Sequence, residues 1–295
     1  MSVPEHCVIC GSPDLTERHP AEIERIEDVS FSYTFSPEHA RTFRVVRCRS
    51  CTHEFCAPLP EGIVDSYEDV VDEEYLRHAE SRRLAAGRVL RTVERFTSIG
   101  TLLDVGCATG DFLVAARDRG FAVEGLELST WSSNVARDRG LLVHRETLAA
   151  HAARVTARYD VITLIGVIEH FQEPLAEMPR IAGLLKPGGL LVLWTGDVDS
   201  IVARLLGRRW WYWQGQHIQY FTHRSLRLLA TLSGLEHVAT TRYPFAATRA
   251  TLQNSLRRYR LQRVLTAVLA PLFLVSPVIY LPLPGEMLFL ARRPR

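Results

Sequence analysis

Apolar positions change period along the chain, and each change predicts an element. Between residues 74 and 96, Tyr75, Leu76, Ala79, Leu84, Val89, Leu90 and Val93 recur at helical spacing, which predicts a helix leading into the main body. Residues 102–105 form a short, largely apolar run that reads as a buried strand, and 112–119 continue as a helix. Further strands are predicted at 122–126, 159–165, 190–194 and 286–291, with Lys186, Pro187, Gly188 and Gly189 as a turn ahead of the 190–194 strand. Strands alternating with helices at this spacing predict an α/β fold with a doubly wound, mostly parallel sheet.

Other segments break these periods. Residues 58–74 are rich in proline, glycine and acids and read as a connector. Residues 264–285 carry no charge over a length that could span a bilayer. Four prolines, Pro271, Pro277, Pro282 and Pro284, argue against one straight helix. A single span would also put the 286–291 strand on the wrong side of the membrane from its sheet. The stretch therefore reads as a surface hairpin in a bilayer or as a helical flap on the domain.

Charge sharpens that picture. Residues 1–199 hold 21 basic and 31 acidic residues, whereas 200–285 hold eleven arginines and one acid, Glu236. Arg257, Arg258, Arg260 and Arg263 stand directly before the uncharged run, which suits an anionic membrane surface contacted through 249–285. The opening residues lack a basic start followed by an apolar run, so the expected location is cytoplasmic, with peripheral attachment at the inner membrane face.

Thiols stay reduced in that compartment, so the six cysteines point to metal binding or core packing before disulfides. Cys7 and Cys10 form one CxxC pair and Cys48 and Cys51 a second. Two such knuckles close a four-sulfur shell around one tetrahedral zinc ion and leave no position for substrate, so the site is structural. His53 and Cys56 follow closely and are read as non-ligands. The expected domains are a zinc ribbon at 1–57, a connector and leading helix at 58–98, and a main domain at 99–295 with the apolar and basic insertion at 249–285.

The turn between the first main strand and its helix carries the chemistry. Gly106 and Gly110 allow a tight turn and close approach of a ligand to bare backbone. The dinucleotide fingerprint GxGxxG fails, because its second and third glycines fall on Ala108 and Asp111. Asp104 and Asp111 flank the turn and would repel a pyrophosphate, whereas a sulfonium and an α-amino group would welcome them. Glu127, after the second strand, can accept two hydrogen bonds from a ribose diol. Such a set suits S-adenosylmethionine.

Residues 104–110, DVGCATG, resemble motif I of class I S-adenosylmethionine-dependent methyltransferases, with Ala108 at the usual middle glycine. Residues 160–174 resemble the family's strand-four motif, and 184–193 its LKPGGxLxI segment. Together with the CxxC pairs, the pattern is similar to a bacterial subgroup that couples a ribbon to this domain and acts on sugars, glycans or secondary metabolites. The resemblance implies a seven-stranded sheet. It implies a cofactor site of Asp104, Gly106, Cys107, Gly110, Phe112, Glu127, Leu128, Thr147, Leu148 and Ile165, with Thr147 and Leu148 edging the adenine.

Methyl transfer to oxygen or carbon benefits from a base, and histidine suits that role. His170 follows the fourth strand of the main domain. His217 lies in QHIQYFT, which resembles the family's HxxYF segment over the active site. Both are expected to be catalytic. Trp210, Trp211, Tyr212 and Trp213 beside Arg208 and Arg209 are expected to form a substrate platform or lid. The expected acceptor is a small molecule, a sugar or a lipid-linked compound. A nucleic-acid methyltransferase or binding module ranks lower, since the ribbon lacks a basic stripe and no (N/D)PPY stands after the fourth strand. A non-catalytic partner protein retaining the fold is the third reading, and the intact Asp104, Gly106, Gly110 and Glu127 argue against it.

Overall fold

The computed structural model describes residues 6–256, 267–268, 271, 273, 276–282 and 285–295. In chain order the elements are β1 (Leu15–His19), β2 (Val45–Cys48), β3 (Glu54–Cys56), α1 (Glu73–Arg77), α2 (Ala79–Val93), β4 (Thr101–Val105), α3 (Asp111–Arg117), β5 (Ala122–Leu126) and α4 (Thr130–Asp138). They continue as β6 (Leu142–His144), α5 (Leu148–Ala152), β7 (Tyr159–Ile165), α6 (Pro174–Leu184), β8 (Leu185–Gly196), α7 (Ile201–Leu206), β9 (Gln219–Tyr220), α8 (His223–Leu232), β10 (Glu236–Thr241), β11 (Pro244–Thr248), α9 (Arg249–Leu256), β12 (Val278–Pro282) and β13 (Glu286–Arg292).

The main sheet has seven strands in the order β10-β13-β8-β7-β4-β5-β6. Strands β6, β5, β4, β7 and β8 run parallel, and β13 is antiparallel to both its neighbours. The expected doubly wound, mostly parallel sheet is therefore present. From β4 the chain winds outward through β5 and β6, then returns to β7 on the other side of β4. That reversal opens a crevice at the carboxyl ends of β4 and β7, where ligands bind in such sheets. Buried leucines and valines of β4, β7 and β8 pack under helices on both faces.

Local details depart from the sequence reading for physical reasons. The helix expected over 74–96 is broken at His78, which caps the end of α1 and the start of α2. Asp72 caps α1 by accepting from the Tyr75 N–H at 2.9 Å. The turn expected at residues 186–189 is a bulge inside β8. Tyr159 pairs with Leu185 and Val161 with Leu190, so 186–189 stand opposite Asp160 alone. Lys186 Nζ anchors the bulge on Asp160 Oδ2 at 2.8 Å.

The N-terminal sheet extends past the expected boundary at residue 57. Strands β1, β2 and β3 form an antiparallel sheet whose fourth strand is β9, from the main domain. Thr52 and Thr222 hydroxyls bond at 2.7 Å across this seam, and Phe55, Tyr220 and Phe221 are fully buried along it.

Part of the expected insertion at 249–285 is regular structure. Residues 278–282 are β12, paired antiparallel with β11 on the main domain, and the Arg88 guanidinium lies 3.5 Å over the Tyr280 ring. Residues 257–266, 269–270, 272, 274–275 and 283–284, and with them much of the proposed membrane segment, lie outside the described residues. Among the described residues, no helix is long and apolar enough to cross a membrane.

Candidate active site

The turn after β4 is held open by two left-handed glycines. Gly106 has φ +67° and a Cβ there would lie 2.7 Å from Val167 Cγ2; Gly110, at φ +80°, would collide with Leu141. Ala108 also has positive φ, +45°, which a glycine would adopt at less cost. Its N–H donates to Glu127 Oε2 at 2.8 Å, while Glu127 Oε1 accepts the Ser129 N–H at 2.8 Å and the Tyr33 hydroxyl at 3.2 Å. Glu127 is buried at the end of β5, and burial raises its pKa against the pull of these donors.

Asp104 lies beneath the turn. Its Oδ1 accepts from the Thr163 hydroxyl at 2.6 Å, and burial, with Glu127 nearby, pushes its pKa up to about 7. A bound cation would favour its ionised form. Asp111 differs from the expectation. Arg82 at 2.6 Å, Arg139 at 2.8 Å and Arg83 at 3.2 Å all pair with it, so it anchors α3 to its surroundings and is not left to attract a sulfonium.

The remaining sequence-predicted cofactor residues lie at or after the carboxyl ends of β4, β5, β6 and β7. Cys107 and Phe112 are buried at the turn and the start of α3, and Leu128 is half-buried after Glu127. Ile165 ends β7 half-buried. Leu148 is buried at the start of α5, but the exposed Thr147 uses its hydroxyl to cap that helix, accepting from the Ala150 N–H at 3.1 Å.

Beyond β7, a short turn of 3-10 helix, Ile168–His170, meets the loop ahead of β9. A carboxylate oxygen of Glu169 and ring nitrogens of His170 and His217 all lie within 4.8 Å of one another, close enough to interact electrostatically or to ligate one divalent ion. His170 Nδ1 donates to the Gln216 carbonyl at 2.7 Å, and His217 Nδ1 to the Tyr212 carbonyl at 2.8 Å. A carbonyl can only accept, so each ring carries its proton on Nδ1 when neutral, with the lone pair on Nε2. Burial pushes the His170 pKa down to about 4 and that of Glu169 up to about 7.

The aromatic run does not form an exposed platform. Trp210, Tyr212 and Trp213 are buried and Trp211 is half-buried. The loop threads between the four-stranded and seven-stranded sheets, so both of its sides are interior. Tyr212 bonds the Thr195 hydroxyl at 2.6 Å, and its ring centroid is 4.4 Å from that of His217. It braces His217 and presents no open face.

Three residues near the crevice escaped the sequence reading. Glu169 directly precedes His170, so its signal was local. Tyr33 and Tyr67 come from the N-terminal segments. The Tyr67 hydroxyl lies 3.4 Å from His170 Nδ1, and its ring is 6.1 Å from that of Tyr33. These two tyrosines connect the Glu127 end of the crevice to the histidine end.

At the far side of the seam, Cys7 and Cys51 sulfurs lie 3.5 Å apart, as do those of Cys10 and Cys48, and all four lie within 4.8 Å. Tetrahedral thiolates at about 2.3 Å from zinc sit about 3.8 Å from one another, so the four sulfurs fit such an ion. His53 is turned away to Gln219, at 2.8 Å, and Cys56 to the His217 carbonyl, at 3.7 Å.

Comparison with known proteins supports the fold. A ubiquinone biosynthesis O-methyltransferase of Paraburkholderia phytofirmans is 38% identical over 115 residues, covering 36% of this chain and 50% of that protein. One from Cereibacter sphaeroides is 32% identical over 149 residues, covering 46% of this chain and 60% of its own. The chain thus spans between half and three fifths of these relatives. Among solved structures, a SAM-dependent methyltransferase from Archaeoglobus fulgidus superposes with a TM-score of 0.52 at 15% identity, covering 75% of this chain and all of that one. A 1,6-didemethyltoxoflavin-N1-methyltransferase from Burkholderia thailandensis, with S-adenosylhomocysteine bound, gives 0.50 at 16%, covering 79% and 85%. Residues 75–240, more than half of the chain, match the family described as a methyltransferase domain. The chain therefore belongs to the methyltransferase-domain family, and its fold is that of the class I S-adenosylmethionine-dependent methyltransferases.

Proposed function

We propose that the protein transfers the methyl group of S-adenosylmethionine to a small-molecule, sugar or lipid-linked acceptor. The observation that carries this reading is the buried Glu127 carboxylate beside a bare, left-handed turn, with a histidine pair along the same crevice. When bound, S-adenosylmethionine supplies an electrophilic methyl on a sulfonium. The chain's part is to hold the ribose on Glu127, keep the turn around Gly106 and Gly110 open to the amino-acid end, and align the acceptor. His170 or His217 accepts the acceptor's proton on Nε2, and Glu169 in its ionised form holds the resulting imidazolium. The O-methyltransferase names of the relatives favour an oxygen acceptor.

Calorimetric titration with S-adenosylmethionine tests the cofactor half. Glu127→Ala is expected to weaken binding by about 1.5–3 kcal/mol, the range for hydrogen bonds to a charged group, or roughly 10- to 100-fold. Unchanged affinity would remove Glu127 from the site, and no binding by the wild type would favour a non-catalytic partner protein.

In the same reading, Cys7, Cys10, Cys48 and Cys51 hold one structural zinc ion. The basic and apolar segment after β11 contacts an anionic membrane face peripherally, which suits a lipid-linked acceptor. Ile201 and Leu205 on α7, 77% and 81% exposed, add apolar surface to the protein. Vesicles containing anionic lipid should sediment the full chain at low salt but not a variant lacking residues 257–276, which keeps the β11–β12 pair, and salt should weaken the binding. Equal sedimentation of the two proteins would favour the soluble flap.

A further inference from the structure

The Glu127 carboxylate has four lone-pair positions on its two oxygens. Three are already used inside the protein. Oε2 accepts the Ala108 N–H at 2.8 Å, and Oε1 accepts both the Ser129 N–H at 2.8 Å and the Tyr33 hydroxyl at 3.2 Å. The Leu128 N–H also faces the carboxylate, so a ribose diol, which needs two positions, meets a carboxylate already crowded with donors. These N–H groups belong to the turns that build the site, and moving them would dismantle it. Tyr33 reaches Glu127 from a segment 94 residues earlier in the chain.

We propose that Tyr33 is a gate on the cofactor site: its phenol occupies one ribose position on Glu127 in the empty enzyme and is displaced when cofactor enters. The backbone on either side is fixed. The Thr34 N–H donates to Asp72 Oδ2 at 2.7 Å, and the Ser32 hydroxyl to the Thr34 carbonyl at 2.8 Å. The gate therefore moves as a side chain, about its own rotatable bonds, while the backbone of residues 32–34 stays in place. Tyr33 is half-buried, and its ring leans on those of Tyr75 at 5.0 Å and Tyr67 at 6.1 Å. Burial and the Glu127 charge keep the phenol protonated, which makes it a donor that mimics a sugar hydroxyl.

The energetic consequence is a lowered apparent affinity. Only the fraction of molecules with Tyr33 displaced can accept the ribose, and apparent Kd rises by the inverse of that fraction. The contact also carries information, because Tyr33 belongs to the N-terminal segment between the two cysteine knuckles. The proposal rests on Glu127 being the ribose acid, and the experiment separates the two ideas.

S-adenosylhomocysteine is titrated calorimetrically into the wild type, Tyr33→Phe, Glu127→Gln and the double variant, with association followed by stopped flow. Tyr33→Phe keeps the ring contacts and removes only the hydroxyl. It is expected to bind about 3- to 10-fold tighter than wild type and to associate faster, the gain of one removed competing hydrogen bond. In the Glu127→Gln background the same change should give a much smaller gain, because the partner it competes for has changed. Equal or weaker binding by Tyr33→Phe overturns the gate and makes Tyr33 a bystander or a direct cofactor contact. An equal gain in both backgrounds also overturns it. Failure of the wild type to bind at all overturns instead the cofactor reading on which the gate depends.

Discussion

Replacing His170 or His217 with alanine should lower turnover by about 10²–10⁴-fold while leaving the calorimetric affinity for S-adenosylmethionine within about twofold. The reason is the division of the crevice. In the proposed reading Glu127 and the β4 turn hold the cofactor, whereas the histidines stand beside Glu169 at the other end. Each histidine donates Nδ1–H to a carbonyl, which presents Nε2 as a proton acceptor. Burial holds His170 near 4, so its ring is unprotonated throughout the neutral range. The pH profile should then be shaped by Glu169, whose pKa is raised to about 7. Below that value the carboxyl is neutral and gives no help to an imidazolium; above it the negative charge stabilises one. Turnover should therefore rise as pH increases through about 7, and Glu169→Gln should flatten that limb. S-adenosylhomocysteine release in the presence of acceptor is the measurement. Wild-type turnover in both histidine variants would reduce the mechanism to alignment alone.

Local signals in the chain reached far into the main domain. The strands expected at 122–126 and 159–165 have those bounds as β5 and β7, because each is a mostly apolar stretch that ends at a charge or a glycine, Glu127 or Gly166. The motif around Gly106 was legible because φ above zero and close approach both demand glycine. The KPGG stretch was misread as a turn ahead of a strand. A bulge within a strand uses the same residues, and only the pairing of Tyr159 with Leu185 distinguishes the two. Contacts between distant segments left no local trace. Nothing around Tyr33 announces Glu127, and nothing in the two residues of β9 announces a partner strand near residue 55. The tryptophan-rich loop reads as a platform because four adjacent large aromatics cannot all point inward from a loop with one solvent side. Here it has a sheet on each side, a fact of topology rather than of composition. The arginines that pair with Asp111 are similarly scattered, at 82, 83 and 139, so its role as an anchor was invisible.

Removing the zinc proposed at Cys7, Cys10, Cys48 and Cys51 should unfold the N-terminal sheet and also loosen the acceptor end of the crevice. Four-thiolate zinc sites in small modules contribute on the order of 10 kcal/mol of folding free energy, comparable to the whole stability of an ordinary domain. Three short strands cannot offset such a loss. The damage should not stop at residue 57, because β3 pairs with β9, and β9 follows His217 by only one residue. The Cys56 N–H donates to the Ile218 carbonyl at 2.9 Å, and the Ile218 N–H to the Glu169 carbonyl at 2.9 Å. His53 bonds Gln219 at 2.8 Å, and the Gln219 amide donates to the Phe171 carbonyl at 3.0 Å. The second knuckle thus stands one strand away from both halves of the histidine cluster. Chelated protein, or a Cys48→Ser variant, should lose about one zinc per chain and lose amide-exchange protection over β1, β2 and β3 and over residues 218–221. Turnover should fall by at least about 100-fold, since a displacement of about 1 Å at the reacting groups is enough for that. Protection over β4, β5 and β7 should survive, because one face of the seven-stranded sheet packs on α2 and α3 in a core without residues of the N-terminal sheet, although the other face shares its core with Cys7, Ile9, Val46 and Phe55. Unchanged protection at 218–221 after verified metal loss would show that the main domain holds β9 and the histidine loop without the ribbon, and would restore the boundary at residue 57.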